Sequence, residues 1–198
     1  MEIETKTTED KDLNSNTTSS LGEIVRFALI TLIIVIPIRA YVAQPFIVSG
    51  TSMVPTFENG EYLIIDELSY HFRSPVRGEV VVFRFPEDPS KFFIKRVIGL
   101  PGETVITKDR SVSLLKDGET ISLDESYIKE SLPYPSIRME LSDDEYFVLG
   151  DNRDVSSDSR IWGPVEDHLI KGRVLLRLLP IGHFGFRPGD ASSDFNQL

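Results

Sequence analysis

The chain has 198 residues, which is enough for one globular domain with appended segments, and its formal net charge is -10. It contains no cysteine, which excludes disulfide scaffolds, zinc–thiolate sites and thiol catalysis, and its three histidines lack the spacing of metal ligands. The acidic balance argues against nucleic-acid binding. We expect neither a metal ion nor another cofactor.

The first 20 residues form an acidic, polar segment. Five of them are acidic and two are lysines, and serine, threonine and asparagine make up most of the remainder. Such a stretch cannot bury a hydrophobic core. We therefore predict a disordered tail over residues 1–20, with a docking peptide for a partner as the alternative.

Residues 21–43 form an apolar run of the length that a membrane-spanning helix needs, roughly 20 residues. Arg26 and Arg39 lie toward its ends, where their side chains could reach the headgroups on opposite sides of a bilayer. The long acidic segment ahead of the run disfavours a cleaved secretory signal, as does the lack of a small residue at the −3 position before Ala40 or Ala43. We predict a transmembrane helix over residues 21–43, with a buried or interfacial helix as the other alternative.

Beyond residue 44 the hydrophobic pattern is typical of strands separated by turn signals. It predicts one mainly β domain over residues 44–198, built of antiparallel sheets. A hairpin is expected around Lys116–Glu119, a short helix over Ser69–Arg73, and an irregular connection over Leu123–Leu141, which is polar and contains prolines. The predicted strands are Tyr62–Ile65, Val80–Phe85, Phe92–Ile98, Thr104–Ile106, Ser111–Leu115, Glu145–Leu149 and Arg173–Leu179.

A serine and a lysine stand in settings that suggest a hydrolase. A serine hydroxyl is a poor nucleophile at neutral pH and needs a neighbour to take its proton. Lysine can do this only where burial among apolar groups lowers the pKa of its ammonium. Ser52 lies in the segment Ser49–Thr56, and Lys95 lies in the apolar stretch Phe92–Ile98. The alternatives are a plain loop hydroxyl for Ser52 and a solvent-facing strand lysine for Lys95.

A third segment, Gly150–Arg160, reads Gly-Asp-Asn-Arg-Asp-Val-Ser-Ser-Asp-Ser-Arg. Together with Ser49–Thr56 and Phe93–Glu103, it resembles the conserved boxes of the type I signal peptidases, in the same order and at matching intervals. The resemblance extends from Gln44 to Leu179 and implies that family's β-rich catalytic domain behind one N-terminal transmembrane helix. It also implies a serine endopeptidase with a Ser/Lys dyad.

The resemblance assigns roles to individual residues. Ser52 would be the nucleophile and Lys95 the general base, which later activates the deacylating water. The hydroxyl of Ser156 would hold the lysine amine toward the serine. Four charged residues are expected to brace the catalytic loops as two ion pairs, Asp151 with Arg96 and Asp158 with Arg160.

The same resemblance bears on the oxyanion and on the substrate. Some members of the family place a serine two residues before the nucleophile, where this chain has Gly50, so only the Ser52 backbone amide is assigned as an oxyanion donor. The family cleaves secretory precursors after Ala-x-Ala-like sequences. By their motif positions, Ile47 and Ile94 would line the shallow pockets for the small side chains.

The resemblance also implies a location: a single-pass protein of the plasma membrane, with its catalytic domain on the outer face. Its partners would be secretory precursors and the lipid bilayer, without nucleic acid. Charge alone favours an inside N-terminus only weakly. Two other functions remain open, a soluble self-cleaving Ser/Lys peptidase of the repressor type and an anchored β domain that binds a partner without catalysis.

Overall fold

The structure is a computed structural model that describes residues 15–37, 44–116, 118–128 and 131–195. The boundary between its two compact units falls between Ala40 and Tyr41. The first unit contributes one helix, and the second contains the sheets and the site.

Helix α1 comprises Ser15–Pro37. It therefore includes residues 15–20, which the sequence assigned to the disordered tail. Serine, threonine and asparagine are favoured where helices begin, so these polar residues can form the first turns ahead of the apolar run. The rest of the predicted tail, residues 1–14, and the end of the predicted span, residues 38–43, lie outside the described residues. No helix in the described parts of the chain is both long enough and apolar enough to cross a membrane.

The second unit is mainly antiparallel β-sheet, as predicted. Between the strands lie a short helix, α2 (Ser159–Trp162), and 3₁₀ turns at Leu68–His71, Asp167–Leu169, Ile181–His183 and Ser192–Phe195. The strands are β1 (Gln44–Ile47), β2 (Tyr62–Asp66), β3 (Val80–Phe85), β4 (Asp88–Gly99), β5 (Thr104–Asp109), β6 (Ser111–Lys116), β7 (Glu119–Ser122), β8 (Tyr134–Glu140), β9 (Glu145–Leu149), β10 (Val165–Glu166), β11 (Ile170–Leu179) and β12 (Gly185–Phe186).

The strands form two sheets. The larger sheet has the order β1-β2-β11-β3-β4-β9-β10, with β12 paired to β11, and the smaller has the order β7-β6-β5-β8. Strand β3 shows why such segments form central strands, because its residues Val80–Phe83 are all buried between neighbours on both sides. Three clusters of buried apolar side chains fill the interior.

The predicted irregular connection over Leu123–Leu141 is wrong in its second half. Residues Tyr134–Glu140 form β8, which pairs with β5 at the edge of the smaller sheet. Pro133 and Pro135 suggested a loop, but an edge strand tolerates proline because one of its sides carries no ladder hydrogen bonds. The short strands β1, β10 and β12 were not predicted either, and β4 and β11 begin at Asp88 and Ile170 rather than at Phe92 and Arg173.

Strand β4 positions the site. It pairs with β3 along its length up to Arg96, and with β9 from Arg96 to Gly99. Because Arg96 lies opposite Leu149, the last residue of β9, the Gly150–Arg160 segment starts beside the middle of β4. The segment containing Ser52 connects β1 to β2 on the other side of β3 and β11 in the sheet order.

Candidate active site

Ser52 and Lys95 are in hydrogen-bond contact. Lys95 Nζ donates to Ser52 Oγ at 2.8 Å and also to the carbonyl oxygen of Ile94 at 3.0 Å. The lysine side chain is buried, whereas Ser52 is partly exposed. A base in contact with an accessible hydroxyl is the arrangement that activates a serine nucleophile.

The environment of Lys95 makes its ammonium easier to deprotonate than that of a lysine in water. Burial lowers the pKa of the Lys95 ammonium from 10.5 to about 8, against the opposing attraction of the Asp158 and Asp151 carboxylates. The ring of Phe93 lies on the same strand, with its centroid 5.5 Å from Lys95 Nζ. The alternative that Lys95 faces solvent is therefore wrong, because only 4% of the residue is exposed.

The third segment is fixed to the lysine strand by a buried ion pair. Arg96 donates through Nε to one oxygen of Asp151 at 2.8 Å and through Nη2 to the other at 2.6 Å. Thr56 Oγ1 donates to the same carboxylate at 2.5 Å. Asp151 thus joins the serine segment, the lysine strand and its own loop.

A second set of contacts joins the third segment to the backbone of the nucleophile. The amide of Asn152 donates to the carbonyl oxygen of Ser52 at 3.0 Å, and Asn152 Nδ2 donates to the carbonyl of Thr51 at 3.1 Å. Gly150 lies so close that a Cβ built on it would be 2.5 Å from the Ser52 carbonyl oxygen. The loop therefore requires glycine at position 150.

The remaining predicted residues of the third segment are also buried. Arg160 pairs with Asp158 through Nε at 2.8 Å and Nη2 at 2.9 Å, and Asp158 also accepts from the Gly150 amide at 3.1 Å. Ser156 Oγ is buried beside Gly150 and has no hydrogen-bond partner among the described residues. The expected contact between Ser156 and the Lys95 amine is thus not made in this structure.

A cleft of about 620 Å³ opens at Ser52 and Lys95. Its walls come from β1 and the segment after it, from β4, and from Val155 and Ser157 of the third segment. Both predicted pocket residues, Ile47 and Ile94, line the cleft. Ile47 is 65% exposed, and Ile94 packs partly against the neighbouring hydrophobic cluster.

Comparison with known proteins identifies the family. The sequence model described as "Signal peptidase, peptidase S26" matches residues 21–179. The chain belongs to this family. The resemblance predicted from the three segments is confirmed.

Signal peptidases are found among its relatives in several organisms. The probable signal peptidase I-1 of Synechocystis sp. is 36% identical over 172 residues, which cover 83% of this chain and 86% of that protein. The signal peptidase I of Leptolyngbya laminosa is 38% identical over 175 residues, with 84% of each chain covered. The mitochondrial inner membrane protease subunit 1 of Xenopus tropicalis is 37% identical over 145 residues, with 73% and 74% covered. The chain is accordingly a serine endopeptidase of the signal peptidase type.

The backbone turns at Gly50, two residues before Ser52. Gly50 adopts a φ of 97°, and its amide donates to Asn59 Oδ1 at 2.9 Å. The Ser52 amide donates to no backbone carbonyl within the described residues.

Sequence reasoning missed several residues that contact the signal peptidase motifs. Thr56 and Asn152 lie within the motifs, but nothing in the local pattern indicates that one binds Asp151 and the other binds the Ser52 carbonyl. Glu125 and Tyr127 lie in the segment whose role could not be assigned, and they contact Arg153 and Arg96. Pairs so distant in sequence could have been found only by covariation between positions.

Proposed function

We propose that this signal peptidase cleaves by a Ser/Lys dyad, with Ser52 as the nucleophile and Lys95 as the general base. The observation that supports this is the 2.8 Å contact between Lys95 Nζ and Ser52 Oγ, both of which line an open cleft. The histidines His71, His168 and His183 line no part of that cleft.

The lowered pKa of Lys95 makes it a workable base. With a pKa of about 8, roughly one molecule in ten carries a neutral Lys95 at pH 7, against about one in three thousand for a pKa of 10.5. The neutral amine takes the proton of Ser52 Oγ as that oxygen bonds to the scissile carbonyl carbon. Lys95 then gives the proton to the departing amine, and the C–N bond breaks to leave an acyl-enzyme. A water molecule then gives a proton to the same amine and attacks the ester carbonyl carbon. The C–O bond breaks, Lys95 returns the proton to Ser52 Oγ, and the acid product leaves.

The negative oxygen of each tetrahedral intermediate needs a donor close to the nucleophile. We assign this role to the Ser52 backbone amide. Gly50, at the position where some relatives carry a serine, has no hydroxyl to add. A hydrogen bond from Asn152 to the Ser52 carbonyl helps to fix the orientation of this part of the chain.

We assign the buried charges of the third segment a supporting role. Arg96 with Asp151 and Arg160 with Asp158 hold the Gly150–Arg160 loop in place as two buried ion pairs. The hydroxyl of Ser156 is buried nearby and has an unused donor. We propose that it holds the Lys95 amine once the substrate is bound.

The substrates we propose are secretory precursors that are cut after Ala-x-Ala-like sequences. The cleft beside Ser52 is lined partly by apolar side chains, including Ile47 and Ile94, which suits small apolar residues before the scissile bond. The names of the relatives, signal peptidase I among them, support the substrate class.

We propose further that the chain is attached to a bilayer through the predicted segment 21–43, with the sheets on the outer face. Helix α1 exposes apolar side chains on all its sides, among them Leu21, Phe27 and Ile33. Such a surface is stable in water only when something apolar covers it. A relative named an inner membrane protease is consistent with this. Retention of the full chain in carbonate-washed membranes, and its release on deletion of residues 1–43, tests the attachment.

The decisive experiment incubates the detergent-solubilised full chain with a secretory precursor and determines the new N-terminus by sequencing. We expect cleavage after an Ala-x-Ala-like site, and its loss in Ser52→Ala and in Lys95→Ala. Ser142→Ala, which removes an exposed hydroxyl that does not line the cleft, is the matched control. Undiminished cleavage by Ser52→Ala or by Lys95→Ala would refute the dyad.

A further inference from the structure

The segment whose role the sequence left unassigned lies against the catalytic loop. We call residues 123–128 the strap. Leu123 anchors it, because this side chain is buried in the same cluster as Phe147 and Leu149 of β9. The strap therefore lies beside the point where β9 passes into the Gly150–Arg160 segment.

Glu125 of the strap holds the loop through Arg153. Both oxygens of Glu125 accept from the Arg153 guanidinium, through Nη1 at 3.0 Å and through Nη2, and both side chains are almost fully buried. Arg153 Nε in turn donates to the carbonyl of Gly150 at 3.0 Å. Gly150 lies against the Ser52 carbonyl, and Asn152 donates to it. A short series of contacts thus connects Glu125 with the backbone of the nucleophile.

Tyr127 holds the same loop through a second arginine. Its ring lies under the Arg96 guanidinium, 3.9 Å from the carbon to the ring centroid, in the geometry of a cation–π contact. Arg96 is the neighbour of Lys95 on β4 and makes the two-point pair with Asp151. Tyr127 also donates its hydroxyl to Glu125 at 2.8 Å, which joins the two sets of contacts.

From these contacts we infer that Glu125 and Tyr127 are positioning residues for Ser52 and Lys95. They fix the 150–154 loop from the side away from the substrate, and through it the relative placement of the nucleophile and the base. The inference rests on the proposed dyad. Neither residue lines the cleft, so their effect should fall on turnover and not on substrate binding.

The test compares Glu125→Gln and Tyr127→Leu in the full chain with Asp124→Asn. Asp124 is the exposed neighbour of Glu125, so its substitution removes the same charge without touching the loop. Each preparation is titrated with a serine-acylating inhibitor, so that kcat refers only to reactive sites. Because a displacement of about 1 Å can cost 10²-fold in rate, we expect kcat per site to fall about 10- to 100-fold in both variants. KM should stay within about twofold and Asp124→Asn should match the wild type.

The pH profile supplies a second readout that loss of stability alone would not change. Loosening the loop admits water to Lys95, which faces the Asp151 and Asp158 carboxylates, so the rising limb of kcat should move to higher pH. Equal kcat per site in Glu125→Gln, Tyr127→Leu and Asp124→Asn would overturn the inference.

Two further outcomes remain decisive. If Glu125→Gln yields no titratable site, the comparison of Tyr127→Phe with Tyr127→Leu tests the inference instead. A larger loss of kcat per site for leucine than for phenylalanine supports the inference, and no loss of kcat in either variant overturns it. Activity retained by Ser52→Ala would instead refute the proposed dyad, and would do so independently of the strap variants.

Discussion

Replacing Lys95 with methionine should remove catalysis and yet stabilise the folded protein at neutral pH. The pKa of this buried ammonium is lowered from 10.5 to about 8, chiefly by burial. At pH 7 the folded protein therefore holds a charge that the unfolded chain solvates better. A shift of this size corresponds to roughly 3 kcal/mol of destabilisation, at about 1.4 kcal/mol per pH unit. Methionine fills a similar volume without the charge.

The sign of the pH dependence follows from the direction of the shift. Below pH 8 both the folded and the unfolded chain bind the proton, so the full penalty is present. Between about pH 8 and 10.5 the unfolded chain holds more protons at Lys95 than the folded chain does, and the penalty fades as the pH rises. The advantage of Lys95→Met over the wild type should thus be about 1–3 kcal/mol at pH 7 and should fall by roughly 2.5 kcal/mol between pH 7 and pH 10. The lower figure allows for the lost hydrogen bonds to Ser52 and Ile94.

The assay is urea unfolding of both proteins at pH 7 and pH 10, together with precursor cleavage. Lys91→Met is the matched control, because Lys91 lies on the same strand with a side chain that is 63% exposed. Its stability should change little and without dependence on pH. A Lys95→Met protein that is less stable than the wild type by the same amount at both pH values would refute the reasoning. The same pKa predicts that wild-type kcat rises with pH and levels off above about pH 8.

Two other substitutions test the loop contacts. In Gly150→Ala the new methyl group would overlap Ser156 Oγ and press on the Ser52 carbonyl, so precursor cleavage should be lost. Gly182→Ala is the control and should cleave normally, because a methyl group there has no atom within 4 Å. Equal activities of the two variants would contradict the close approach of Gly150 to the Ser52 carbonyl. Asp151→Asn leaves the Arg96 guanidinium buried without a countercharge and should lower the free energy of unfolding by about 3–5 kcal/mol. Urea unfolding with the exposed Asp143→Asn as control measures this, and a difference below about 1 kcal/mol would contradict it.

The sequence predicted the central strands well because their hydrophobic pattern is determined locally. Val80–Phe85 and Glu145–Leu149 have the predicted bounds, and four consecutive residues of each strand are buried and mainly aliphatic or aromatic. Edge strands were harder to predict. Burial on one side only leaves a weak pattern in Gln44–Ile47, and prolines hid the strand at Tyr134–Glu140.

In the candidate site, too, some features could be predicted from the sequence and others could not. That Ser52 and Lys95 belong together followed from motif resemblance, because local alternation could not decide which side of β4 the lysine faces. The contacts of Thr56 and Tyr127 depend on how the sheets fold over one another, and they join residues far apart in sequence. No propensity or spacing rule contains that information.

The conformation of Gly50 restricts the choice of oxyanion donors in the proposed mechanism. At a φ of 97°, this residue lies in a region that glycine enters at little cost and other residues rarely adopt. The turn is held by Asn59, which accepts from the Gly50 amide, and it leads directly into Thr51 and Ser52. A serine here would have open space for its side chain but a strained backbone. The path of the chain into the nucleophile therefore favours glycine, and in the proposed mechanism stabilisation of the oxyanion depends on the Ser52 amide. The peptide plane of that amide also contains the Thr51 carbonyl, which accepts a hydrogen bond from Asn152 Nδ2 at 3.1 Å.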